Sequence, residues 1–201
     1  MNGGGWLAAI ITPKQPNKIP PNALWCADNG CFGRGYPGDI GWFTWLHQFT
    51  TEERSRCLFA VAPDVVGDAR ATVERSVPWL PEIRAAGYRP AYVLQDGQDE
   101  FCPPWGLFDV AFVGGTTSWK FAAGLADLVH EAKLRGKWVH MGRVNSRARL
   151  IYAAMIGCDS VDGTYLKFGP DLNLRRMGGW VEETNLLLTQ MRWSDTVSGG
   201  H

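Results

Sequence analysis

Residues 57–97 read CLFAVAPDVVGDARATVERSVPWLPEIRAAGYRPAYVLQDG. An apolar run, Cys57–Ala62, stops at Pro63 and Asp64. Asp68 can then cap a helix running to about Ala86, with Gly87 as its stop, and Pro78 and Pro81 can kink or divide it. A second apolar run, Pro90–Leu94, ends at Gln95. Strand, helix, glycine, strand is the unit of a parallel sheet, because its crossover must travel back along the sheet before the next strand begins.

The same unit recurs outward from this stretch. Strands are predicted at Trp6–Ile11, Ala23–Ala27, Val110–Val113, Trp138–Met141 and Asp159–Val161. Ser118 is expected to cap a helix from about Trp119 to Arg135, stopped by Gly136. Asn145 or Ser146 is expected to cap another, to Ile156, stopped by Gly157. Gly41–Phe49 reads as a further helix. The expected fold is α/β, a minimal (β/α)8-type TIM-like barrel, with an open doubly wound sheet as the alternative. No strand is followed by G-x-G-x-x-G, and G-x-x-x-x-G-K-[ST] is absent from the sequence.

The chain has 201 residues, a length that suits one domain with a sizeable core. Twenty basic and 20 acidic residues give no net charge, so a globally basic nucleic-acid binder is not indicated and polynucleotide contact would need a local patch. From Lys133 onward ten Lys/Arg face six Asp/Glu. In that region Arg143 and Lys167 are the expected landing points, joined by Arg175 and Arg176, with a solvated helix face as the plainer explanation. Arg147 and Arg149, two apart on a helix, cannot share a face. Tyr36, Trp42 and Trp119 are candidate stacking surfaces, with core packing as the alternative.

The five cysteines are odd in number and form no C-x-x-C, which reads as separate reduced thiols. His47, His130 and His140 are scattered, so no metal site is expected. The N-terminus lacks a signal-peptide pattern and no apolar run reaches membrane-spanning length. A cytoplasmic protein with no membrane partner is expected.

Polar groups follow successive strands: Asp28, Asp64 or Asp68, Gln95, the Gly114–Gly115 pair, Met141–Gly142, and Asp162. In a parallel barrel those ends share one face. A single aspartate after a strand is ordinarily a helix cap. Asp28 and Asp162, however, precede no evident helix. Two carboxyl groups whose pKa values are pushed apart can serve as nucleophile and general acid/base at an anomeric carbon.

Read in order over about residues 22–168, these segments resemble the tRNA-guanine transglycosylase superfamily. Ala-Asp-Asn-Gly-Cys-Phe (27–32) resembles the family's D-[ST]-G-G-F-Q. Pro-Asp-Val-Val-Gly-Asp (63–68) resembles the segment whose aspartate holds the purine edge, with Asp68 and Asp64 both candidates. Val-Leu-Gln-Asp-Gly (93–97) resembles V-Q-G-G, Val-Gly-Gly (113–115) resembles G-G-L-A, and His-Met-Gly (140–142) resembles L-M-G-V-G. Gly-Cys-Asp-Ser-Val-Asp (157–162) resembles G-x-D-x-F-D-C.

The resemblance implies that Asp162 is the nucleophile and Asp28 the general acid/base. It implies that Asp68 or Asp64, Gln95, Gly114, Gly115, Met141 and Gly142 bind the base. The family's C-x-C-x-x-C…H zinc segment is missing after Cys158. The chain is therefore more similar to the short, zinc-free phage and bacterial relatives that insert 7-deazaguanine bases into DNA.

The resemblance thus implies a base-exchanging enzyme with no cofactor. Its partners would be DNA (RNA less so) and a free base such as 7-cyano-7-deazaguanine. It would occupy the host cytoplasm if phage-encoded, with a homodimer as the assembly that the resemblance allows. Residues 1–192 would form one transglycosylase-like barrel domain and 193–201 a flexible tail. Two rivals use the same residues: a barrel glycosidase or nucleosidase that gives the base to water, and a binding module without turnover.

Overall fold

The computed structural model describes residues 7–14 and 18–198, with side chains to Met191. Seven strands occur among the described residues: β1 (Ala9–Ile11), β2 (Trp25–Ala27), β3 (Cys57–Val61), β4 (Pro90–Leu94), β5 (Val110–Val113), β6 (Trp138–Met141) and β7 (Ser160–Val161). They lie in one sheet in chain order, and β1 through β5 pair in parallel. Sequential parallel order with helices between strands is the arrangement of the TIM-like α/β class expected from the sequence, with seven strands rather than eight.

The chain divides into two compact units, Leu7–His140 and the part from Met141 onward. In the larger unit both faces of the sheet are covered. One face carries Cys26, Phe59, Val61, Ala91, Val93 and Val110, with Ile10 and Phe112 packed against them. His140 joins this layer, its ring centroid 4.8 Å from that of Phe112 and 5.1 Å from that of Phe59. Alternate residues, among them Trp25, Ala60, Tyr92 and Leu94, are also buried, as are the helix residues Trp42, Leu46, Leu80 and Ile83. Burial on both faces is why these strands read as continuous apolar runs rather than alternating ones.

The helices of this unit follow local chemistry. Helix α1 (Asp39–Leu46) buries Trp42 completely, so of the three stacking candidates this one is core. The sequence reading misses α2 (Thr51–Ser55), although Thr50 and Glu53 form a reciprocal capping box there. Asp68 accepts from the Ala71 amide at 2.9 Å and caps α3 (Ala69–Ser76). A separate α4 (Trp79–Ala85) follows, with Pro78 at the break. The expected helix from Ser118 is likewise two pieces, α5 (Thr117–Lys120) and α6 (Gly124–Leu134). Its cap is Thr116, not Ser118: Thr116 is extended and accepts from the Trp119 amide.

In the smaller unit, Ser146, one of the two caps the sequence allows, caps α7 (Arg147–Met155). Helix α8 runs from Pro170 to Ser198, so the backbone of residues 193–198 continues a helix where a loose tail was expected; 199–201 lie outside the described residues. No helix of the described residues is long and apolar enough to cross a membrane.

Candidate active site

Within the larger unit, the loops leaving β2, β3, β4 and β5 meet in one buried polar cluster centred on Asp64, whose residue is 5% exposed. Asn29 donates from Nδ2 to Asp64 Oδ1 at 2.8 Å and to the Ala62 carbonyl at 2.7 Å. Gln95 donates from Nε2 to Asp64 Oδ2 at 2.5 Å. The Gln95 carbonyl oxygen accepts from two backbone amides, Gly67 at 3.0 Å and Gly115 at 2.8 Å. Every bond in this cluster joins groups from different strand ends, so only the lateral order of the strands brings them together.

A second layer fixes the loop that carries Asp64. Ser76 donates to the Pro63 carbonyl at 2.7 Å, and Arg75 donates from Nη1 to the Asp64 carbonyl at 2.9 Å. Thr72 Oγ1 accepts from the Val65 amide and donates to the Val65 carbonyl, both at 3.0 Å. All three side chains belong to α3, whose inward face is therefore small and polar rather than apolar. Arg75 is in turn held by Asp39 at 2.6 Å, with Tyr36 and Trp79 also donating to that carboxylate. Such support orients the central carboxyl group before any ligand arrives.

Burial pushes Asp64 above the usual carboxylate range, against the hydrogen bonds from Asn29, Gln95 and Cys31 and the charge of Arg75. The neighbouring Cys31 thiol is pushed up to about 12, first by burial and then by Asp64, so it is not a nucleophile at neutral pH. Burial also acts to raise Asp39, but its bonds from Arg75 and Tyr36 take it below the usual value.

Gly114 and Gly115 are required for close approach. A Cβ on Gly114 would run into Val93 and come within 3.0 Å of Gln95 Nε2. Gly115 has φ +62, and a Cβ there would strike the Trp119 ring and reach to 3.0 Å from Asp96 Oδ2. We expect Gly115→Ala to cost ~2–3 kcal/mol, combining left-handed strain with overpacking. Thermal unfolding should drop by roughly 5–10 °C. Unchanged melting would mean that Trp119 yields at no cost.

The sequence-derived candidates separate as follows. Asp64, Gln95, Gly114 and Gly115 come together as expected. Asp68 does not join them through any bond described above: it is exposed and serves as a helix cap, which leaves Asp64 as the buried carboxyl of its segment. Asp28, half-buried at the end of β2, accepts from the Gly30 amide at 3.0 Å. Trp119 is half-buried and donates to Asp99 at 3.3 Å. Tyr36 lies under the Arg75 guanidinium, 4.9 Å from its ring centroid.

The remaining candidates belong to the smaller unit. Asp162, half-buried after β7, accepts from the Arg143 amide at 3.0 Å, while its own amide donates to the Met141 carbonyl at 3.1 Å. Arg143 has φ +60, an uncommon conformation for a side-chain-bearing residue, and the Asp162 carboxylate bonds its amide. Met141 and Gly142 are buried. Lys167 sits in a 3-10 turn, Tyr165–Lys167, and is exposed, as are Arg175 and Arg176 on α8. Arg147 pairs with Glu183 instead.

Sequence reasoning missed Asn29, Gly67 and Arg75. Asn29 is hidden by its place in an Asp-Asn-Gly loop, where an asparagine ordinarily serves a turn; here its Oδ1 does so, accepting from the Cys31 amide at 2.7 Å, while Nδ2 serves Asp64. The polar face of α3 was legible as Thr72, Arg75 and Ser76 at helical spacing. Among the described residues no group of three or more His, Cys, Asp or Glu side chains is arranged to hold a metal ion.

No family model matches the chain, and no curated protein matches it. Among solved structures it is similar to the Bacillus subtilis YkuI protein, which has an EAL domain and was crystallised with its substrate c-di-GMP and calcium. The TM-score is 0.47 at 17% identity, covering 74% of this chain and 38% of that one. The chain thus spans well under half the length of that protein.

Proposed function

We propose that the protein is a nucleobase-exchanging glycosyltransferase that replaces guanine in DNA with a 7-deazaguanine derivative. The observation that carries this reading is the buried triad of Asp64, Gln95 and the Gly115 amide. It sets a carboxyl acceptor and a backbone donor at opposite ends of one carboxamide, the complement of a purine's N–H and carbonyl edge. Buried donors and acceptors of this kind reject the wrong base strongly, because a mismatch leaves them unpaired.

In the proposed reaction guanine is turned out of its stack, a cost of a few kcal/mol that is smaller in single strands. A carboxylate oxygen of Asp162 attacks C1′. The C1′–N9 bond breaks, guanine leaves with the electron pair, and Asp28, acting as the acid, gives it a proton and becomes a carboxylate. The product is a glycosyl ester on Asp162. A free 7-deazaguanine then enters. Asp28 takes the proton from its N9, N9 attacks C1′, and Asp162 leaves as carboxylate. Bonds broken and formed are alike, so no redox step is involved. Asp64 reads the N–H edge of the base. Arg143, Lys167, Arg175 and Arg176 supply positive charge for the phosphate backbone, on which polynucleotide affinity chiefly rests.

The test is incubation with DNA and, separately, with tRNA, each with 7-cyano-7-deazaguanine, followed by nucleoside mass spectrometry. Modified deoxynucleoside from DNA is the expected result. Modified nucleoside from tRNA alone would transfer the reading to RNA. Release of guanine without incorporation would make the protein a glycosidase. Asp28→Asn should slow turnover by ~10²–10⁴-fold, the usual worth of a positioned acid/base. Full turnover by that variant would remove Asp28 from the role.

A further inference from the structure

We propose that the Gln95 side chain is an internal stand-in for the ligand: its carboxamide fills the edge-reading pocket of the free protein and must be expelled when a lactam base binds. The inference rests on the base-exchange reading only for the identity of the base; the edge itself is defined by the pocket.

A primary carboxamide has a carbonyl acceptor and an N–H donor on one short edge. The N1–H and O6 of guanine or hypoxanthine form the same edge. Gln95 places its carbonyl oxygen on the amides of Gly67 and Gly115, at 3.0 and 2.8 Å, and its nitrogen on Asp64 at 2.5 Å. The orientation of the amide is fixed by chemistry. Rotating it by 180° would turn the NH2 group onto two backbone N–H donors, of which the Gly115 amide is buried and would then lack an acceptor. The pocket side of each bond is also rigid. Asp64 is braced by Asn29 and Arg75, and Thr116, next to Gly115, is held by Asp96 through both its amide and its hydroxyl.

Gln95, by contrast, is attached through flexible χ angles, and its head is buried, with the whole residue 2% exposed. A base cannot use the Gly115 amide and Asp64 while Gln95 holds both. The partner exchange is nearly balanced, since each bond lost by Gln95 is remade by the base. Gln95 therefore acts as a specificity device. Only a ligand that restores both an acceptor for Gly115 and a donor for Asp64 replaces it without leaving a buried group unpaired. Adenine, with an acceptor at N1 and donors at its 6-amino group, presents the reverse edge and fails.

The test is Gln95→Ala, with affinity for guanine, hypoxanthine and adenine measured by calorimetry. If Gln95 occupies the pocket, apparent affinity is lowered by the fraction of molecules in which the pocket is open. The variant should then bind guanine and hypoxanthine more tightly than the wild type, by about tenfold or more, and still refuse adenine. Weaker or unchanged binding of both lactams would overturn the proposal and make Gln95 a direct reader of the base. If the variant does not fold, the wild type answers instead. Saturating hypoxanthine should shift the Gln95 side-chain amide signals in a nitrogen-correlated spectrum, and binding that leaves them unmoved overturns the proposal. Tighter lactam binding by Gln95→Ala with no base exchange into DNA or tRNA would sink the enzymatic reading while leaving the stand-in intact.

Discussion

Asp162→Asn is expected to reduce base exchange by at least ~10⁴-fold, the scale on which removing a covalent nucleophile acts, while the protein stays folded. The structure dictates asparagine rather than alanine for this experiment. The Asp162 carboxylate accepts from the Arg143 amide, and Arg143 is held at φ +60. Alanine would free that loop as well as remove the nucleophile, so lost activity would have two causes. The amide oxygen of asparagine can still accept from Arg143, but a carboxamide cannot form the glycosyl ester. Two readouts make the result interpretable. Wild-type protein should yield a denaturation-resistant protein–DNA adduct and Asp162→Asn should not, with melting temperatures close to each other. An adduct of undiminished yield from the variant would show that the nucleophile is elsewhere.

The second large effect is expected at Asp64. Asparagine there can accept from one of its two donors, but its own NH2 then faces the NH2 of the other, Asn29 or Gln95. A buried donor opposed to a donor costs ~1–3 kcal/mol. With the remaining oxygen retained by Asn29, the N–H edge of the base meets an NH2 group instead of an acceptor, and ~10²-fold or greater loss of guanine affinity is expected from mismatches of this type.

Asp64→Asn also separates two pH effects of opposite sign. Burial raises the folded pKa of Asp64 above its unfolded value. Its contribution to stability is therefore full below the unfolded pKa and is lost as pH rises through the folded one. Wild type should lose stability relative to Asp64→Asn on going upward through that window. Binding runs the other way, because the ionised carboxylate is the stronger acceptor for the N–H of the base, so affinity rises with pH over the same window. Urea unfolding and base titration at a series of pH values measure both. A stability difference between the two proteins that does not vary with pH would show that the folded pKa of Asp64 is not raised.

Much of the larger unit was legible because its signals are local. Strands β3 to β6 are short apolar runs bounded by Gly, Pro or charge, and burial on both faces leaves no alternation to confuse them with surface strands. Ser146 and Asp68 cap as their positions predict. Errors fell where neighbouring residues compete for one role. Thr116 and Ser118 are both able caps, and the contact of Thr116 with Asp96, an amide bond of 2.7 Å and a hydroxyl bond of 2.5 Å, decides for Thr116. The whole of α8 was missed: Gly178 and Gly179, poor helix formers, fall in its middle, and Ser194, Asp195, Thr196 and Ser198 read as a loose end.

By itself the sequence determined the parallel α/β class and the presence of polar residues at successive strand ends, since both follow from patterns a few residues long. Tertiary structure decided what those residues do. Whether Asp64 or Asp68 is the buried carboxyl depends on which of them the α3 cap consumes. That Gln95 bonds Asp64 and Gly115, residues 31 and 20 positions away, depends on three strands lying side by side. Hydrogen bonds act over about 3 Å, so partners so distant along the chain become partners only once the sheet has formed.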